Sequence, residues 1–126
     1  MYLVLDSTFV IDHLKGDPEA QTRWRRMFEE GDQPVVTEIV VCEVRTGLRE
    51  RDAGILDRLL IPTSFVQPGR ETASLAGRWR SEVRDSGRTL GLPDALIAAA
   101  AFHLGGSVVT RNVRDFALTP VRVETY

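Results

Sequence analysis

Short apolar runs alternate with longer amphipathic stretches along this chain of 126 residues. Residues 2–5 (Tyr2-Leu3-Val4-Leu5), 34–37, 64–67 and 107–110 read as strands, with a further strand at 120–124. Helices are expected over about 8–15, 18–30, 38–50, 53–60, 70–86 and 93–104. Strands alternating with helices need crossover connections, which are right-handed in nearly all proteins. The pattern therefore predicts an α/β fold of three layers, α/β/α, with a mostly parallel central sheet of four to five strands. The helix at 93–104 is the most sharply bounded. Leu92-Pro93 opens it, Gly105-Gly106 follows its end, and its run of alanines between larger apolar residues marks it as buried.

Four acidic residues stand at informative places in this pattern. Asp6 directly follows the first apolar run, at the carboxyl edge of the sheet, where open α/β folds bind ligands; alternatively it caps the next helix. Glu43 shares a helix side with Ile39, Val40, Val44 and Gly47, opposite Glu38, Arg45 and Arg49. It is expected to point inward, and a buried carboxylate needs a cation, a proton or an arginine partner. Asp94 lies in the first turn of the apolar helix, where the macrodipole favours an anion with or without a ligand. Asp115, with Asn112, follows the strand at 107–110 and can reach the same edge; it can equally cap a short helix or pair with Arg111 or Arg114.

Carboxylates converging at one sheet edge select hard ions, chiefly Mg²⁺ or Mn²⁺, and the natural reaction of such a centre is phosphodiester hydrolysis. Ser7, Thr110 and Asn112 are placed to orient the acids or water from outside the ligand set. The net charge of −2 argues against a globally basic nucleic-acid binder, but the remainder turns positive once the four acids are set aside. Lys15 is the only lysine, and arginine's planar fork suits phosphate. Arg80, Arg84 and Arg88 recur every fourth residue and, with Arg111, are candidates for RNA phosphates. The alternative for the row is a solvated face paired with Glu82 and Asp85.

Other classes find little support. A lone Cys42 excludes an internal disulfide, and its apolar helix suggests ordinary packing in a reducing cytoplasm. No signal-like start and no membrane-spanning apolar run is present. His13 and His103 lack partners at zinc-ligand spacing, and there is no phosphate-binding glycine loop or Gly-x-Ser-x-Gly elbow. Trp24, Met27 and Phe28, with Phe9, Val10, Ile11 and Leu14, are expected mainly in the core, with a protein interface as the alternative.

Four segments in order carry a resemblance: Leu5-Asp6-Ser-Thr-Phe-Val-Ile-Asp12, Glu43-Val-Arg-Thr-Gly47, Gly91-Leu-Pro-Asp94-Ala-Leu-Ile-Ala98 and Val109-Thr-Arg-Asn-Val-Arg-Asp115-Phe116. From Tyr2 to about Phe116 the chain resembles PIN-domain ribonucleases, most closely the VapC-type toxins of bacterial toxin–antitoxin pairs. The resemblance implies one PIN-like domain over 1–126 and a Mg²⁺- or Mn²⁺-dependent endoribonuclease that cuts structured RNA. It further implies neutralisation by a cognate VapB-like antitoxin and a homodimer. Asp6, Glu43 and Asp94 match the family's acidic positions. The last acid falls at Asn112 or Asp115, and Asp115 is taken as the fourth ligand. A noncatalytic PIN-like module that binds RNA or protein is the main alternative. A phospho-accepting receiver domain would want a lysine near the last strands, whereas Lys15 lies in the first helix. A haloacid-dehalogenase-like phosphatase would want Asp-x-Asp where this chain has Asp6-Ser7-Thr8.

Overall fold

A computed structural model describes all residues from 1 to 126. Five strands, β1 (Tyr2–Leu5), β2 (Gln33–Thr37), β3 (Ser64–Val66), β4 (Ser107–Val109) and β5 (Arg122–Glu124), form one sheet in the order β3-β2-β1-β4-β5. Every pairing is parallel, so the expected sheet is realised at its larger size and without an antiparallel edge. The inner strands are short and, apart from the exposed first residues Tyr2 of β1 and Gln33 of β2, buried, as parallel strands covered on both faces must be.

Seven helices connect them: α1 (Ser7–Leu14), α2 (Pro18–Glu29), α3 (Glu38–Thr46), α4 (Ala53–Leu60), α5 (Gly69–Asp85), α6 (Leu92–Leu104) and α7 (Val113–Phe116). By contact they sort into two layers, α1 to α4 and α5 to α7. Helices α3 and α6, from opposite layers, also touch each other. One cluster of 26 buried hydrophobic residues runs through the sheet and both layers.

Two boundaries differ from expectation. The helix foreseen to residue 50 ends at Thr46, capped by Gly47, and a 3-10 turn at Glu50–Asp52 precedes α4. Helix α7 is a single turn in a polar stretch, too short to leave a period in the sequence.

Strand order reverses at β1, where the chain has built outward through β2 and β3 and then returns to place β4 on the other side. The crevice at the carboxyl ends of β1 and β4 is the switch point at which such sheets bind ligands. At the opposite end of the same strand pair, Gly105 takes a left-handed conformation (φ 67°) to end α6. Gly106 then passes so close to Tyr2 that any β-carbon there would collide with the Tyr2 backbone oxygen. Only glycine permits that approach.

Candidate active site

Asp6 lies one residue beyond β1 and is 3% exposed. Its backbone N–H donates to the Val109 carbonyl at 3.0 Å, extending the β1–β4 ladder into the crevice. Although Asp6 occupies the N-cap position of α1, its side chain makes no capping bond. Instead Thr8 and Thr110 each donate a hydroxyl to Oδ2, both at 2.7 Å. Neutral hydroxyls satisfy that oxygen without neutralising the charge, and no arginine pairs with it.

Thr110 is fully buried at the end of β4 and also accepts from the Asn112 backbone N–H at 2.9 Å. The Asn112 side chain is exposed and does not cap α7, so its contribution here is a backbone bond. Ser7, Thr110 and Asn112 are the orienting groups expected from the sequence, and the structure adds Thr8 to them. Thr8 lies two residues after Asp6, within reach of a local hydroxyl-to-carboxylate bond, and that spacing was the available signal.

Glu43 departs from expectation. Val40 and Val44 fill the inward side of α3, while Glu43 sits at the margin of that face and is exposed. Its Oε1 accepts a hydrogen bond from the buried Ser7 hydroxyl at 2.6 Å, which turns the carboxylate towards the end of β1. No arginine pairs with it. Cys42, beside it, is exposed rather than packed in the core.

Asp94 is in the first turn of α6, directly after the loop at Gly91. Its carboxyl is pushed up to about 6 by burial, and further by the negative charges of Asp6, Asp115 and Glu43. Asp115, half-buried in α7, pairs with neither Arg111 nor Arg114. The four sequence-selected acids thus share one electrostatic neighbourhood, with no ion-paired cation to offset them. No three His, Cys, Asp or Glu side chains are arranged to grip a single ion together. The set of four carboxylates on one ion expected from the sequence is therefore not assembled by these side-chain positions, and at most two of them converge on a common point.

The arginines divide. Arg111 reaches Asp17 at 2.6 Å and Asp12 at 3.3 Å, and its guanidinium lies 4.7 Å from the Tyr126 ring centre. The Tyr126 hydroxyl donates to Asp12 at 2.7 Å, so Arg111 is committed to a latch between α1, the turn after β4 and the chain's last residue. Arg80 donates through Nε to the Leu90 carbonyl at 3.0 Å, tying α5 to the loop that leads to Asp94. Arg80, Arg84 and Arg88 line a shared depression of about 380 Å³ and make no ion pair with Glu82 or Asp85.

The PIN domain family model matches residues 3–120. Ribonuclease VapC19 of Mycobacterium tuberculosis is 29% identical over 117 residues, covering 93% of this chain and 94% of its own. Among solved structures, VapBC2 from Rickettsia felis bound to a DNA fragment from its promoter superposes with a TM-score of 0.88 at 20% identity, covering 100% of this chain and 99% of that one. A toxin–antitoxin complex from Klebsiella pneumoniae gives 0.79 at 27% identity, covering 98% and 96%. With a family model spanning nearly the whole chain and a fold that superposes end to end, this protein belongs to the PIN-domain family.

Proposed function

We propose that this chain, as a single PIN domain over 1–126, is a divalent-metal-dependent endoribonuclease toxin that hydrolyses RNA phosphodiester bonds. We further propose that a cognate VapB-like antitoxin neutralises it. The observation that carries the reading is the placement at the β1–β4 crevice of Asp6, held through Oδ2 by Thr8 and Thr110, and of Glu43, held by Ser7, with no arginine on either; the raised Asp94 carboxyl agrees with acids nearby. The named ribonuclease and toxin–antitoxin relatives support the same assignment.

Asp6 and Asp94 are assigned as the principal ligands of a Mg²⁺ or Mn²⁺ ion, with Glu43 and Asp115 completing the acidic site. When bound, such an ion supplies Lewis-acid polarisation of the scissile phosphate. Thr8 and Thr110 hold Asp6 by one oxygen, so that Oδ1 is left to face a ligand. Ser7 fixes Glu43, and Asn112 steadies Thr110 through its backbone. Arg80 and Arg84 are proposed to contact RNA phosphates beside the acids. Arg111 acts through its latch on the turn that carries Thr110 and Asn112. A cytoplasmic homodimer held with its antitoxin is the proposed assembly, and no helix is long and apolar enough to cross a membrane.

The deciding experiment incubates purified protein with total RNA and Mn²⁺, followed by sequencing of new 5′ ends. Discrete ends that vanish with EDTA, and with Asp6→Ala or Asp94→Ala, are expected. RNA bound but left intact by the wild-type protein would favour the noncatalytic module instead.

A further inference from the structure

A cleft of about 670 Å³ opens between α3, the start of α5 and α6, and none of the four acids lines it. Its walls come from the two helices that carry Glu43 and Asp94. Ile39 and Cys42 precede Glu43 on α3, and Leu96 follows Asp94 by two positions on α6. We propose that this cleft seats the nucleobase next to the scissile phosphate in a single-stranded part of the RNA substrate. The inference rests on the ribonuclease reading above and deepens it, by assigning the site that selects the base.

The chemistry of the walls fits an unstacked base. Ile39 and Leu96 offer apolar surface to its faces, and few polar groups stand at the edges, which is how pockets for planar ligands are built. Thr37, at the end of β2, is 1% exposed and lines this cleft, yet its hydroxyl has no hydrogen-bond partner within the protein. A buried hydroxyl left unpaired is costly, and a base edge or its water would satisfy it. Arg70, in the first turn of α5, makes no ion pair and stands at the cleft where the free N–H groups of that 17-residue helix favour phosphate. Glu38, on another wall, disfavours phosphate there but can accept from an exocyclic amine. The cleft is therefore polarised, with the sugar–phosphate at the Arg70 side and the base edge at the Thr37 and Glu38 side. The scissile phosphate is then directed towards the acids that the same two helices, α3 and α6, carry.

Cys42 is the only cysteine and is exposed on the cleft wall, so its alkylation reports occupancy. The test uses full-length Asp94→Asn protein, a random pool of eight-nucleotide RNA, fluorescence anisotropy for binding and mass spectrometry for iodoacetamide labelling of Cys42. Saturating RNA is expected to slow labelling at least tenfold. Ala73→Trp, which fills the cleft from an exposed position on α5, is expected to weaken RNA binding about tenfold and, in the otherwise wild-type enzyme, to change the base found at cut sites. Its Mn²⁺-induced rise in Tm should be unchanged. RNA that binds without protecting Cys42, or cut sites unaltered by both Ala73→Trp and Ile39→Ala, overturns the base cleft alone. Protection that grows with protein concentration and ignores RNA assigns this face to a second copy and also overturns it. Absence of both RNA binding and cleavage would instead remove the ribonuclease reading itself.

Discussion

Ser7, at the start of α1, donates its hydroxyl to Oε1 of Glu43 on α3 over 2.6 Å, linking residues 36 positions apart. Glu43 is exposed and has no other side-chain partner, so this bond alone selects one orientation of a flexible carboxylate. Ser7→Ala frees Glu43 without changing its charge. RNA cleavage is expected to fall roughly 10- to 100-fold, the range for groups that orient metal ligands, with little change in melting temperature. Wild-type kcat/KM in this variant would show that Glu43 needs no such hold.

Thr110 has both roles of its hydroxyl filled, donating to Asp6 and accepting from Asn112. Thr110→Val keeps the shape but deprives a buried carboxylate of a donor and a backbone N–H of its acceptor. A loss of about 1–3 kcal/mol in urea unfolding is expected, together with weaker Mn²⁺ binding. An unchanged unfolding midpoint would contradict this account of Asp6.

The Asp94 carboxyl, at about 6, lies above its ordinary 3.8. The folded state therefore binds that proton more tightly than the unfolded chain does. The resulting stability is present in full below about pH 3.8 and is lost as pH rises through 6. Asp94→Asn, neutral at every pH, should unfold later than wild type above pH 6 in EDTA. The gap is expected to be about 1 kcal/mol once solvent screening of a partly exposed group is allowed for, and to close towards pH 4. Calorimetry at the two ends of this range decides it, and equal Tm values at pH 7.5 would argue against mutual crowding of the acids.

A divalent cation and the Asp94 proton compete for one cluster. Mn²⁺ at 100 times its Kd is expected to stabilise the wild type by about 2.7 kcal/mol. The rise in Tm should shrink below pH 6 and disappear in Asp6→Ala. A rise that survives Asp6→Ala would place the ion elsewhere.

Arg84 and Arg111 separate by their surroundings. Arg84 bonds only to Ser81 at 3.3 Å and is free for phosphate, whereas two aspartates hold Arg111. Arg84→Ala should lower the slope of log affinity for single-stranded RNA against log salt by about 0.7, the value for one lost contact. Arg111→Ala should lower Tm and leave that slope nearly unchanged. A reversed outcome, read by anisotropy titrations from 50 to 200 mM salt, would exchange the two roles.

Local chemistry made much of the architecture legible. Pro93 and Gly105 bracket α6 because one fits a first turn and the other a left-handed exit, and both signals are written in neighbouring residues. Asp6 could be placed at the sheet edge because a four-residue apolar run can end only there. The orientation of Glu43 was not accessible in the same way. Helical periodicity puts it near Val40 and Val44, but which side of that face it takes depends on Ser7, a partner on another element. The partners of Arg111 are hidden in the sequence for the same reason, since Asp12, Asp17 and Tyr126 meet it only in the folded chain. Helix α7 could be offered only as an alternative place for Asp115, because a single turn spans one helical period and repeats nothing.

Gly106 gives the crevice a dependence on the far end of its own strands. The seam between β1 and β4 is clamped there by backbone meeting backbone, with no side chain able to yield. A methyl group added at that point would act as a wedge, sliding one strand along the other and carrying the misfit up the ladder to Asp6 and Thr110. The spacing of the two residues that hold the reactive end of the molecule is thus governed from its base, by an atom that must be absent.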